Sequence, residues 1–160
     1  MRPIDAIVDY LTEHELKIAT AECGAGGLIV SELLRADRGH AVVEYGVFAQ
    51  SLEAKDRLIG VGDDLRRAHG ATSDVVVVAM VQQILKSSAA HIVIANTNIE
   101  THAADGASPC GRAVLGWGLR NGGRSYIHVK ACVFEGDRFD QRLEMAYCGL
   151  REAIRLHGGF

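Results

Sequence analysis

A three-layer α/β domain around one mixed sheet is predicted by three observations. Short apolar runs alternate with amphipathic ones along the chain. Two late β-rich runs, RAVLGWGL and RSYIHVKACVF, flank Asn121-Gly122-Gly123, a strong hairpin signal that makes part of the sheet antiparallel. A small-residue junction, Ala21-Glu22-Cys23-Gly24-Ala25-Gly26-Gly27, joins an apolar strand to an amphipathic helix, the place where α/β folds put reactive or ligand-binding groups. With 160 residues and 48% hydrophobic content, one domain over 1–160 is expected.

In chain order, Pro3 opens a helix with Ile4, Ile7, Val8 and Leu11 on one face. Residues 16–21 (LKIATA) read as a half-buried strand, and 28–34 (LIVSELL) as the first turns of the next helix. Residues 41–48 (AVVEYGVF) read as a second strand, and SLEAKDRLIGV after it has helical composition, with Lys55 one or two turns in. Ser73-Asp74 can cap VVVVAMVQQILKSS; its four valines favour a strand, but its length decides for a helix. Residues 92–95 form a short buried strand, 96–108 a long polar loop, and then comes the hairpin. Asp137 can cap a last helix with Leu143, Met145, Ala146, Tyr147, Leu150 and Ile154 on its apolar face, ended by Gly158-Gly159.

The charge balance excludes several partners. With 17 Lys+Arg against 20 Asp+Glu and the basic residues dispersed, neither nucleic acid nor an anionic membrane is an expected partner. No apolar stretch approaches the roughly 18 residues of a membrane span, and the acidic N-terminus is not a signal peptide, so a cytoplasmic protein is expected. Cys23, Cys110, Cys132 and Cys148 include no C-x-x-C pair, and reduced thiols are expected in place of a disulfide framework or structural zinc. His102, Asp105 and Cys110 crowd one segment without matching a metal template, so no metal is expected.

Cys23 is the residue to explain first. Free N–H groups of the helix that follows point at this turn, attract anions and lower the pKa of a thiol held there. The competing reading makes Cys23 a small core hydrophobe in a tightly packed turn.

Five segments, in order and at near-constant spacing, resemble the C-terminal domain of the competence/damage-inducible protein CinA, whose stand-alone members are nicotinamide-nucleotide amidohydrolases. The family's T-A-E-S-C-T-G-G is similar to Thr20–Gly27, and its G-x-V-T-Y-S-N-E-A-K to Gly46–Lys55, continuing into Leu58-Ile59-Gly60-Val61. H-G-A-V-S resembles His69-Gly70-Ala71-Thr72-Ser73, P-V-G resembles Pro109-Cys110-Gly111, and F-P-G-D-R resembles Phe134-Glu135-Gly136-Asp137-Arg138. The resemblance implies a serine nucleophile at the position of Cys23, a catalytic lysine at Lys55 and a catalytic tyrosine at the position of Gln50. It also implies a homo-oligomer, no cofactor, and a small-molecule nucleotide ligand held by Glu22, Gly26, Gly27, Gly46, Gln50, Ser51, Asn96 and Thr97. The family's glycine-rich loop aligns with residues 96–101, where its second glycine becomes Glu100, a carboxylate expected to repel a phosphate.

Two readings follow. One is a divergent member whose catalysis is impaired and which acts as a nucleotide- or partner-binding module. The other is an active amidohydrolase acting on nicotinamide mononucleotide or a related amide, with Cys23 as nucleophile and Lys55 as base. The simultaneous changes at Cys23, Gln50 and residues 96–101 favour the first.

Overall fold

The computed structural model describes residues 2–102 and 110–160. Pro3 stands first in α1 (Pro3–Glu13), where its missing N–H leaves no hydrogen bond unmade, and Ile4, Ile7, Val8 and Leu11 are its buried stripe. The Leu16 N–H turns back to the Leu11 carbonyl at 2.8 Å, so the first strand starts two residues later than the apolar run, as β1 (Ile18–Glu22). Helix α2 (Leu28–Leu34) follows as expected.

The second strand is shorter than read. Residues Gly39–Val42 form a helical turn, α3, and only Val43–Phe48 extend as β2. Gly39 lies so close to Leu33 that a Cβ there would stand 1.9 Å from the Leu33 carbonyl oxygen. That packing turns the chain and buries Val42, and no local periodicity encodes it.

Ser51 caps α4 (Leu52–Ile59) by accepting the Ala54 N–H at 3.1 Å. The next helix, α5 (Asp63–His69), was not anticipated from the sequence. None of its residues is buried, so it has no apolar stripe to betray it. Its signal is charge order, Asp63 and Asp64 in the first turn and Arg66, Arg67 and His69 in the last, which complements the helix dipole. Ser73 caps α6 (Asp74–Ser87), where Val76, Val77, Met80, Val81, Ile84 and Leu85 are buried, so the valine run is helical as length decided.

Beyond it, β3 (Ile92–Asn96) is fully buried. The long loop read over 96–108 is a correction: Asn96 completes β3, and β4 (Glu100–His102) pairs antiparallel with the start of β5 (Cys110–Asn121). Asp105 and Pro109 lie outside the described residues. The hairpin to β6 (Arg124–Glu135) turns on Gly122 and Gly123 at φ 58° and 77°, the two positive angles a type I′ turn requires. Asp137 caps α7 (Arg138–His157) as expected, accepting the Asp140 N–H at 2.9 Å.

The strands form one mixed sheet, β2-β1-β3-β5-β4, with β6 added on β5. Strands β2, β1 and β3 are parallel, and the rest pair antiparallel with β5. Helices α1, α2 and α7 cover one face, over Ile18, Ile92, Ile94, Leu115 and Trp117. Helix α6 with Ile59 of α4 covers the other, over Ala19, Ala21, Val93, Ala95 and Val114. Two separate apolar clusters with a sheet between them are the predicted three-layer α/β/α domain. The parallel register brings Glu22, Phe48 and Asn96 side by side at the carboxyl ends of β1, β2 and β3.

Candidate active site

That row of strand ends carries the site, since helices start there and backbone N–H groups face outward. The turn after β1 is pinned from three sides. Asn96 Oδ1 accepts from the N–H of Cys23 at 3.1 Å and of Ala25 at 3.0 Å, while the Gly24 N–H donates to the Thr97 carbonyl at 3.1 Å. A Cβ on Gly24 would stand 2.6 Å from that carbonyl, so only glycine lets β3 and the turn meet. Gln50 closes the third side, its Nε2 donating to the Cys23 carbonyl at 3.1 Å.

The helix N-terminus is taken by Glu22. Its Oε1 accepts from the N–H of Gly27 at 3.1 Å and of Ile29 at 3.0 Å, and its Oε2 accepts the Thr20 hydroxyl at 2.9 Å. Burial raises the pKa of this carboxyl, and the hydrogen bonds it accepts pull the other way.

This corrects the expectation for Cys23. The thiol does not receive the helix N-terminus, and it is 3% exposed. Its pKa is pushed up to about 11, chiefly by burial, against the lowering influence of Lys55 and with a further rise from Glu22. At neutral pH it is a thiol.

Lys55 is not a solvated helix charge. It is buried at 9% exposure and has no ion pair or side-chain hydrogen bond among the described residues. Cys23 and Lys55 line one small cavity of about 10 Å³, closed by Ile59, Val61, Arg66, Val76, Met80 and Thr97. Among the described residues, the buried side-chain polar atoms with no partner are Arg66 Nε, Thr72 Oγ1 and Asn96 Nδ2. Arg66 lines that cavity, Asn96 holds the Cys23 turn, and Thr72 follows the cavity residue Ala71.

On the outer side of the turn, Cys23 and Gly24 floor a polar pocket of about 420 Å³, lined by Phe48, Gln50, Asn98, Thr101, Gln141, Arg138 and Arg142 among others. Arg138 and Arg142 form no ion pair among the described residues. A Cβ on Gly26 would lie 2.0 Å from Arg142 Nη2, so the glycine at φ 63° leaves the guanidinium room over the turn. The two arginines were missed as site residues. Their signal was an i, i+4 pair one residue after the Asp137 cap, which puts both on one face of the first turns of α7.

The other expected site residues divide. Asn96, Thr97 and Gln50 stand at the site, Thr97 also accepting the Val114 N–H on its hydroxyl at 3.0 Å. Gly27 is the left-handed N-cap of α2 at φ 90°. Gly46 and Ser51 serve structure: a Cβ on Gly46 would stand 2.5 Å from Val30, and Ser51 caps α4. Glu100 is exposed on β4 and does not line the pocket, whereas its neighbours Ile99 and Thr101 do, so the expected repulsion of a phosphate has no geometric basis. No group of three or more His, Cys, Asp or Glu among the described residues is placed to hold a metal ion.

Comparison with known proteins agrees with this architecture. Residues 2–156 match the sequence family described as the CinA C-terminal domain. A CinA-like protein of Akkermansia muciniphila is 33% identical over 157 residues, covering 94% of this chain and 36% of that protein. One from Chlorobium phaeovibrioides is 33% identical over 160 residues, covering 96% and 37%. The chain thus spans about a third of the length of these relatives. Among solved structures, the competence/damage inducible protein CihA of Agrobacterium tumefaciens superposes with a TM-score of 0.80 at 29% identity, over 96% of this chain and 93% of that one. A CinA superfamily protein of Klebsiella pneumoniae reaches 0.84 at 22% identity, over 98% and 96%. The match along residues 2–156, the shared fold and the strand-end turn together make this chain a member of the CinA C-terminal domain family.

Proposed function

We propose that this chain is a nucleotide-binding CinA C-terminal domain in which amide hydrolysis is disabled. The observation that carries the reading is a buried Cys23 beneath a polar pocket rimmed by Arg138 and Arg142. With its pKa at about 11, the thiol is ionised in about one molecule in ten thousand at pH 7. A nucleophile also needs donors for the oxyanion it creates. Here the N–H groups of Gly24 and Ala25 are already given to Thr97 and Asn96. Gln50, where the resembled family has its tyrosine, spends its amide on the Cys23 carbonyl.

Binding asks less of the site. Two guanidinium groups with no ion pair among the described residues, beside amide and hydroxyl side chains, suit the phosphate and the carboxamide of a mononucleotide. The relatives' names speak of competence and damage induction and assign no ligand.

A second reading, an active amidohydrolase with Cys23 as nucleophile and Lys55 as base, has one observation in its favour: the two line the same cavity. One experiment separates them. Purified protein is titrated with nicotinamide mononucleotide in a calorimeter, and ammonia is measured in the same samples. Saturable binding without ammonia supports the proposal, turnover moves the second reading to first place, and no binding overturns both.

A homo-oligomer and a cytoplasmic location complete the proposal. The first rests on the resemblance and is checked by light scattering. The second rests on Cys23, Cys132 and Cys148, none of which is in a disulfide, and is checked by fractionation. No helix among the described residues is long and apolar enough to cross a membrane.

A further inference from the structure

A pair of cysteines lies outside the pocket over Cys23. Cys132, on β6, and Cys148, on α7, face each other across the seam between strand and helix. Their side chains interact, each thiol shifting the ionisation of the other. Both line an open groove of about 910 Å³ that shares no lining residue with the Cys23 pocket. Both are partly buried at the edge of the core cluster, and neither is in a disulfide. The Cys132 sulfur lies 3.9 Å from the Lys130 carbonyl, and Lys130 and Arg151 line the same groove. Two thiols in contact, open to solvent and flanked by two cations, are arranged for sulfur chemistry.

We propose that Cys132 and Cys148 form a thiol–disulfide exchange site that accepts small disulfides from the groove and closes to an intramolecular Cys132–Cys148 bond. In the first step the Cys132 thiolate attacks one sulfur of RS–SR; a Cys132–SR bond forms, the RS–SR bond breaks, and RS⁻ leaves. The released RS⁻ takes the proton of Cys148. The Cys148 sulfur then attacks Cys132, the second RS⁻ leaves to be protonated by solvent, and two electrons have passed from the protein dithiol to the small disulfide. The neighbouring Cys148 thiol, helped by Lys130 and opposed by burial and Glu152, lowers the Cys132 thiol to about 7, while the same contact raises Cys148. Cys132 is therefore the attacking sulfur and Cys148 the resolving one. The closed bond ties β6 to α7, the helix that carries Arg138 and Arg142.

The test uses the full chain, reduced and then incubated with excess oxidised glutathione near pH 7, acid-quenched and mapped by mass spectrometry. Two of the four thiols should disappear, the Cys132 and Cys148 peptides should be linked, and dithiothreitol should reverse it. Cys148→Ser should stop at a glutathione adduct on Cys132, and Cys132→Ser should leave Cys148 largely free. A trivalent arsenical, which needs two adjacent thiols, should bind the unaltered chain with one molecule per chain and neither variant. The proposal falls if all four thiols persist, if a stable adduct remains on Cys132 of the unaltered chain, if the bond formed includes Cys23 or Cys110, or if the arsenical binds a single-cysteine variant as tightly as the parent.

Discussion

The carboxylate of Glu22 accepts the backbone N–H of Ile29 at 3.0 Å, so the last residue of β1 caps the first turn of α2. The intervening residues are thereby forced into a compact turn that buries Cys23. The positive end of the helix is neutralised by the neighbouring glutamate, and the thiol is left to the desolvating core.

Removing that cap should be costly. Glu22→Ala leaves the Gly27 and Ile29 N–H groups and the Thr20 hydroxyl without their partner, and about 3 kcal/mol of stability should be lost at neutral pH. Urea denaturation measures it. A loss below about 0.5 kcal/mol would mean that water replaces the carboxylate. Glu22→Gln, which keeps an acceptor, should lose less.

The buried thiol should make the protein sensitive to alkali. The folded pKa of Cys23, about 11, lies above its value of 9.0 in an unfolded chain, so its contribution is full below pH 9 and is lost as the pH rises through 11. About 2 to 3 kcal/mol is at stake. Melting temperatures between about pH 8 and 11 should fall more steeply for the parent than for Cys23→Ala; parallel curves would show that the thiol ionises freely.

Lys55 carries the opposite expectation. A buried lysine with no carboxylate partner among the described residues weighs against folding, and a methionine of similar length fills the same space without a charge. Lys55→Met should raise stability by about 1 kcal/mol, read by urea denaturation. A destabilised variant would place an unseen partner on the lysine.

The pocket arginines should govern anion affinity. Arg142→Ala should weaken binding of nicotinamide mononucleotide at least tenfold, about 1.4 kcal/mol, with Arg138→Ala similar and unfolding little changed. Glu100→Gly should leave the affinity within about twofold, because that side chain stays outside the pocket. An improvement with Glu100→Gly would restore the repulsion expected from sequence.

Legibility varied with what each feature rests on. Helices α1, α2, α4, α6 and α7 announce themselves through an apolar stripe or a capping residue, and the Gly122-Gly123 turn through residues that alone tolerate its angles. Helix α5 packs no stripe, α3 is bent by contact with Leu33, and β4 exists because β5 offers it an edge, so local pattern could show none of them. At the site, Gln50 and Asn96 hydrogen-bond to the backbone of Cys23 and Lys55 shares its cavity, while Arg138 and Arg142 carry no motif signal because they arrive from the far end of the chain.

The sequence by itself determined the layered α/β architecture, the hairpin, the strand-to-helix turn and the family, since each depends on periodicity, turn stereochemistry or motif order along the chain. Only the tertiary structure decided the state of the chemistry. Whether a thiol beside a helix start is a thiolate depends on which acceptor reaches the free N–H groups first and how much water remains, and here Glu22 and the core settle both against Cys23. The contact of Cys132 with Cys148 is of the same kind: 16 positions apart in sequence, they meet because β6 and α7 pack together, and packing is a property of the folded chain.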